Sequence, residues 1–214
     1  MSQHLTPARE EATQALLTAA ESLLVEVGYA GVTVRRVAER AGVNHGLVHY
    51  YFGSMQELLL RVLERFTDGL VERQRAMYAA EIPFIEKWRQ AMRFLDEDTG
   101  SGYQKIWLEL QAMGWNDPVV RERLQGVHRR WVDVVRPAFA LGLEELGIDS
   151  ELYPTEAVVA LVVTFNLGIM IERLSGVDSG HAQLLAMIDR ILEHHWEEAR
   201  DAGSPTGQQR VGHS

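Results

Sequence analysis

Residues 41–54 read AGVNHGLVHYYFGS. Asn44, His45, His49, Tyr50 and Tyr51 crowd amide, imidazole and phenol groups into about two turns of helix, with Gly42 and Gly53 on either side. Such groups donate and accept hydrogen bonds to a polar partner; a hydrophobic core does not need them, and a merely solvated face rarely uses them. His45 and His49 also stand four residues apart, as zinc ligands on one helix face do. No glutamate lies between them and no third ligand is close in sequence, so recognition of a polar surface is favoured over a metal site.

The elements that must hold this stretch can be read from apolar spacing, which is helical almost throughout. Leu16, Ala19, Ala20, Leu23, Leu24 and Val27 make one face of a first helix that Gly28 stops. Thr33 is a suitable N-cap for a short second helix with Val37, Ala38 and Ala41 inward. Gly42 permits a tight turn, Asn44 caps a third helix, and Ser54 with Glu57 forms a capping box for a fourth, running to about Met77. Two short helices joined by the turn AGVN are a helix-turn-helix pattern. In such a unit the second helix lies in the major groove of DNA. Val48 and Phe52 share the inward face, leaving His45, Leu47, His49 and Tyr50 outside. Asn44, His45 and Tyr50 can meet bases or phosphates, Leu47 a thymine methyl, and Gly46 lets the backbone come close to its partner.

The stretch AAESLLVEVGYAGVTVRRVAERAGVNHGLVHYYFGSMQELL resembles the amino-terminal domain of TetR-type transcriptional regulators. The match covers about residues 9 to 60 and rests on its spacing: helix, G-Y/F-x-x-x-T, A-x-x-A-G-V, G-x-x-x-x-x-F, then S-x-x-E-L. The resemblance implies an all-helical homodimer that binds a palindromic operator and releases it when a small molecule enters the carboxy-terminal domain. It also implies a DNA contact set of Thr33, Asn44, His45, Gly46, Leu47, His49, Tyr50 and Tyr51, to which Arg36 is added. His49 stands where the family usually has tyrosine and Met55 where it has lysine, both phosphate-touching positions there. His49 can still donate a hydrogen bond and Met55 cannot, so the resemblance implies a weakened or displaced phosphate contact.

Composition limits the rest. The chain has 214 residues and a formal net charge of −9, which argues against generic polyanion binding, so any DNA contact must be a local patch. Residues 1–53 carry Arg9, Arg35, Arg36 and Arg40 against five glutamates, a near-neutral segment rather than a basic one. The absence of cysteine excludes disulfides and thiolate chemistry. The apolar run at 157–171 is short for a membrane span and polar in its middle, and the amino terminus lacks signal-peptide order. The expectation is a cytoplasmic protein with no membrane partner and no cofactor.

Further helices are expected over 83–97, 102–114, 117–146, 155–174 and 180–200, with Pro137 kinking or splitting the third of these. The domain reading is a helix-turn-helix domain over 1–53, a ligand-binding and dimerisation body over 54–200, and a disordered polar tail over 201–214. Within the body, Trp88, Met92, Trp107, Gln111, Trp131, Asn166 and Met170 are candidate ligand-lining residues, since bundle pockets combine aromatics and methionine with a few polar groups. Glu109 and His128 are further polar candidates. Asn166 is the most telling, because a buried amide in an apolar helix costs free energy unless paired. Val158, Leu161 and Phe165 form one apolar stripe and Leu184, Ile188 and Ile191 another, suited to a four-helix interface between two chains. Two rival readings stay open: a helical enzyme acting on a hydrophobic substrate, although no phosphate loop or nucleophile motif is present, and a helical adaptor that does not bind DNA.

Overall fold

The computed structural model describes residues 7–203, and every regular element among them is helical. The order is α1 (Pro7–Val27), a single 3-10 turn (Tyr29–Gly31), α2 (Val34–Ala41), α3 (Gly46–Phe52), α4 (Met55–Ala79), α5 (Phe84–Ser101), α6 (Tyr103–Gly114), α7 (Pro118–Glu145), α8 (Thr155–Leu174) and α9 (His181–Gly203). The all-α reading and the helix positions expected from apolar spacing hold. Pro137 does not split α7. It sits on the exposed side one turn after exposed Asp133, where water can satisfy the carbonyl that loses its N–H partner. Residues 201–203, expected in the tail, continue α9; the rest of that segment lies outside the described residues.

The chain packs as two compact units, the first built from residues up to 70 together with 98–129, the second from 71–97 together with 130 onward. α4, α5 and α7 each contribute to both. The core of the first unit joins Leu16, Leu23 and Leu24 of α1, Val37 of α2 and Val48 of α3 to Leu58, Leu59 and Leu63 of α4. Ile106 and Leu110 of α6 and Val120, Leu124 and Val127 of α7 close the same cluster. Val27, expected inward, is exposed, because α1 ends there and Gly28 turns the chain away. Polar links tie this unit together around the core. Arg123 reaches Glu64 at 2.7 Å and Glu57 at 3.2 Å, Gln56 donates to Asp117 at 2.9 Å, and the Tyr29 amide donates to Glu109 at 2.6 Å.

In the second unit Phe84, Trp88, Val135, Phe139, Leu146 and Val159 form the core, flanked by Tyr78, Met92, Trp131, Val158, Val162, Ile188 and Leu192. Phe84 and Phe139 meet edge to face at 5.1 Å. Gly142 is required by that packing, since a Cβ there would lie 2.2 Å from the Phe84 ring. Arg89 of α5 forks onto Asp189 of α9 at 2.9 and 3.0 Å, and that hydrogen-bonded pairing holds its guanidinium ionisation above the ordinary range. α8 is long and apolar enough to cross a membrane by length and composition, with mean hydropathy 1.8, yet only 17% of its most apolar window is buried. Its bounds are those expected from apolar spacing, with Thr155, Glu156, Glu172 and Arg173 as polar residues beyond the apolar run of 157–171.

Candidate nucleic-acid interface

The helix-turn-helix is built by local hydrogen bonds. The Thr33 side chain accepts from the Arg36 amide at 3.3 Å and starts α2. Gly42 ends it in the left-handed region at φ 68°, which a side chain would disfavour. Its amide then reaches back to Ala38 and Glu39 carbonyls, and the Val43 amide does the same to Ala38 at 3.0 Å. The Asn44 Oδ1 accepts from the Gly46 amide at 2.8 Å, so Asn44 starts α3 through a turn onto Gly46 while His45 occupies the cap position itself. A Cβ on Gly46 would lie 3.3 Å from that same oxygen; the glycine therefore serves the turn as well as any close approach from outside. After α3, Ser54 Oγ accepts from the Glu57 amide at 3.1 Å. The reciprocal half of the expected capping box is not made, because the Glu57 carboxylate is taken by Arg61 and Arg123.

Val48 is fully buried and Phe52 packs on the first core, as their spacing required. His45, His49 and Tyr50 are exposed, Tyr50 at 70%. Thr33, Arg36 and Asn44 are exposed beside them. Leu47 departs from expectation: it is half-buried and packs against the core, as does Tyr51. α3 has only seven residues, and Leu47 adjoins the fully buried Val48 on it, so its side chain also reaches the first core. The face that remains outward is thus His45, His49 and Tyr50, framed by Thr33, Arg36 and Asn44.

His49 Nδ1 lies 3.2 Å from the Gly53 carbonyl. A carbonyl only accepts, so Nδ1 carries the proton and donates. The neutral ring then presents an acceptor at Nε2, and donation outward requires the imidazolium. His49, expected to donate a hydrogen bond, thus turns its Nδ1 donor to Gly53 in this tautomer. Arg36 directs one guanidinium nitrogen to the Gly31 carbonyl at 2.9 Å. Arg40 is engaged by Glu26 at 2.6 and 2.8 Å, and this hydrogen bonding holds the Glu26 carboxyl below the usual range. Among the described residues, no group of three or more metal-ligating side chains comes together.

The family model for bacterial regulatory proteins of the TetR family matches residues 16–62, the segment that contains this motif. Over 196 residues the chain is 30% identical to the HTH-type transcriptional repressor Rv3405c of Mycobacterium tuberculosis, covering 87% of this chain and 92% of that protein. The chain belongs to the TetR family. Another relative, the HTH-type transcriptional activator FasR of Mycolicibacterium smegmatis, is 28% identical over 165 residues, 68% of this chain and 73% of that one. The fold is shared with the transcriptional regulator FadR of Bacillus subtilis solved with stearoyl-CoA, at a TM-score of 0.68 and 15% identity over 84% of this chain and 96% of that one.

In this TetR-family regulator the remaining candidate residues fall into both units. Trp88 is buried in the second core, and Met92 and Trp131 pack against it. Met170 is buried on α8, and the Asn166 Oδ1 is buried with no hydrogen-bond partner. Trp107 instead packs on the first core and Gln111 is half-buried on α6, in the first unit. Glu109 is committed to the Tyr29 amide, and His128 is exposed. Of the apolar stripes, Val158 and Ile188 pack on the core of the second unit. Leu161 at 68% and Ile191 at 48% are exposed, and Phe165 and Leu184 are half-buried. Sequence reasoning misses two residues. Arg9 lies over Tyr50 and Tyr51, a contact between distant segments that leaves no periodic signal. Gln74 on α4 has a buried Oε1 without a hydrogen-bond partner; an amide in an otherwise apolar-periodic helix is the one clue to it.

Proposed function

We propose that this regulator is a homodimeric repressor that binds a palindromic operator through α3 of each subunit and leaves it when a small hydrophobic molecule binds the second unit. The observation that carries the reading is the outward face of α3: His45, His49 and Tyr50 stand exposed on a helix that Val48 anchors completely. Side chains on a rigid element can report base identity, whereas phosphate contacts set register. The exposed apolar surface of α8 and α9 suits a second copy of the chain, which would cover Leu161 and Ile191 in a four-helix seam. That occupant, rather than a bilayer, accounts for α8, and a DNA-bound regulator works in the cytoplasm.

The ligand reading is supported by two of the buried amide oxygens without a hydrogen-bond partner, those of Gln74 and Asn166. Gln74 stands one turn from Tyr78, and Asn166 one turn from Val162; Tyr78 and Val162 both pack against the Trp88–Phe139 cluster. Residues four apart share a helix face, so both oxygens face that apolar interior. Burial there also raises the Tyr78 phenol above its ordinary range. Unpaired buried acceptors cost free energy, and a neutral, mainly apolar molecule carrying hydroxyl or amide donors would satisfy them.

The test is selection of bound fragments from genomic DNA by the full chain, followed by titration of Tyr50→Ala on the selected site and its single-base variants. Loss of discrimination at one operator position, by roughly 1–3 kcal/mol, is the expected result. No selected site, or a Tyr50→Ala variant indistinguishable from the parent on every sequence, would leave an adaptor or enzyme role instead.

A further inference from the structure

Several side chains around α3 do not offer phosphate a free charge. Met55 supplies none, the His49 ring N–H faces Gly53, Arg36 gives one guanidinium nitrogen to the Gly31 carbonyl, and Arg40 is paired with Glu26. Arg35 is exposed on α2. One arginine near the start of α1 is placed differently. The guanidinium carbon of Arg9 lies 6.0 Å from the centroid of the Tyr50 ring and 5.7 Å from that of Tyr51. Those rings meet edge to face at 5.0 Å. Tyr51 is packed on the first core and Tyr50 projects outward, so Arg9 sits at the border between the anchored ring and the exposed one. Among the described residues no carboxylate pairs with it, although Glu10 and Glu11 follow it in sequence.

We propose that Arg9 is a backbone anchor of the DNA interface: stacked beside Tyr50 and Tyr51, it supplies a phosphate contact where Met55 and His49 do not. The chemistry suits the geometry. A guanidinium engages aromatic faces without using its N–H groups, which stay free in a planar fork that matches two phosphate oxygens. This rests on the DNA-binding reading of α3, and the experiment separates the two.

Operator and unrelated duplex DNA are titrated with the full-length parent, Arg9→Ala, Arg9→Lys and Arg40→Ala across a salt series. A lost phosphate contact lowers the slope of log affinity against log salt by about 0.9, hence by roughly 1.8 for two subunits. Arg9→Ala is expected to show that fall and to weaken both DNAs by a similar factor, about tenfold or more at low salt. Arg9→Lys should restore the slope. Arg40→Ala should leave it unchanged, because Glu26 already neutralises that charge. An unchanged slope in Arg9→Ala, a loss confined to the operator, or an equal fall in Arg40→Ala overturns the assignment. A parent protein that binds neither DNA overturns the underlying reading instead, and circular dichroism of Arg9→Ala checks that the half-buried position has not altered the fold.

Discussion

A fixed positive charge at position 49 should tighten operator binding. The His49 Nδ1 proton is held by the Gly53 carbonyl 3.2 Å away, so the ring in this tautomer turns an acceptor outward, and a phosphate oxygen, itself an acceptor, gains no hydrogen bond from it. A lysine there would present three donors and a charge instead. An exposed ion pair contributes ~0.2–1 kcal/mol. Two subunits double that, which corresponds to roughly a two- to thirtyfold tightening, at ~1.4 kcal/mol per tenfold. His45 is exposed at the cap of α3, so it is varied separately. Fluorescence anisotropy of labelled operator at constant pH and ionic strength should show the gain in His49→Lys, with or without His45→Gln. His49→Ala should bind within about twofold of the parent, because the ring it removes donates nothing to phosphate. A His49→Ala variant that loses as much affinity as His49→Lys gains would refute the tautomer argument.

Two further outcomes test the second unit. Leu161→Glu on the exposed side of α8 should dissociate the dimer without unfolding the subunit, because the two symmetry-related carboxylates would be buried unpaired at roughly 2–4 kcal/mol in total; sedimentation at micromolar concentration reads it, and a normal dimer would place the interface elsewhere. Asn166→Leu and Gln74→Leu each remove an unsatisfied acceptor, so each should keep or raise thermal stability by up to ~1–3 kcal/mol while blunting operator release by hydroxylated apolar compounds; unchanged release in both would assign these amides to the scaffold.

Much of the fold is legible in the sequence because its determinants are local. Thr33, Gly42 and Ser54 act on backbone groups within four residues, so their types and spacing place α2, the turn and the start of α4. Helical period alone assigns Val48 and Phe52 inward, and the buried stripe of α1 likewise, apart from its last residue. The TetR-type spacing adds the function, since its order of small, capping and apolar residues spans the whole motif.

What periodicity cannot supply are contacts between segments far apart in the chain. Leu47 lies on the nominal outer arc of α3, but whether that arc meets solvent depends on how α3 is seated, and its seating brings Leu47 onto the core. The proton on His49 depends on where the Gly53 carbonyl points after α3 ends. Ile106, Leu110, Leu124 and Val127 join the core of the DNA-binding helices, although nothing in their own spacing names the partner they bury against. An apolar stripe reports that a face must be covered, because hydrophobic burial is non-directional; which surface covers it is chosen by shape and chain connectivity. For the same reason Val158 and Ile188 turn to the core of the second unit while Leu161 and Ile191 stay exposed on the same two helices.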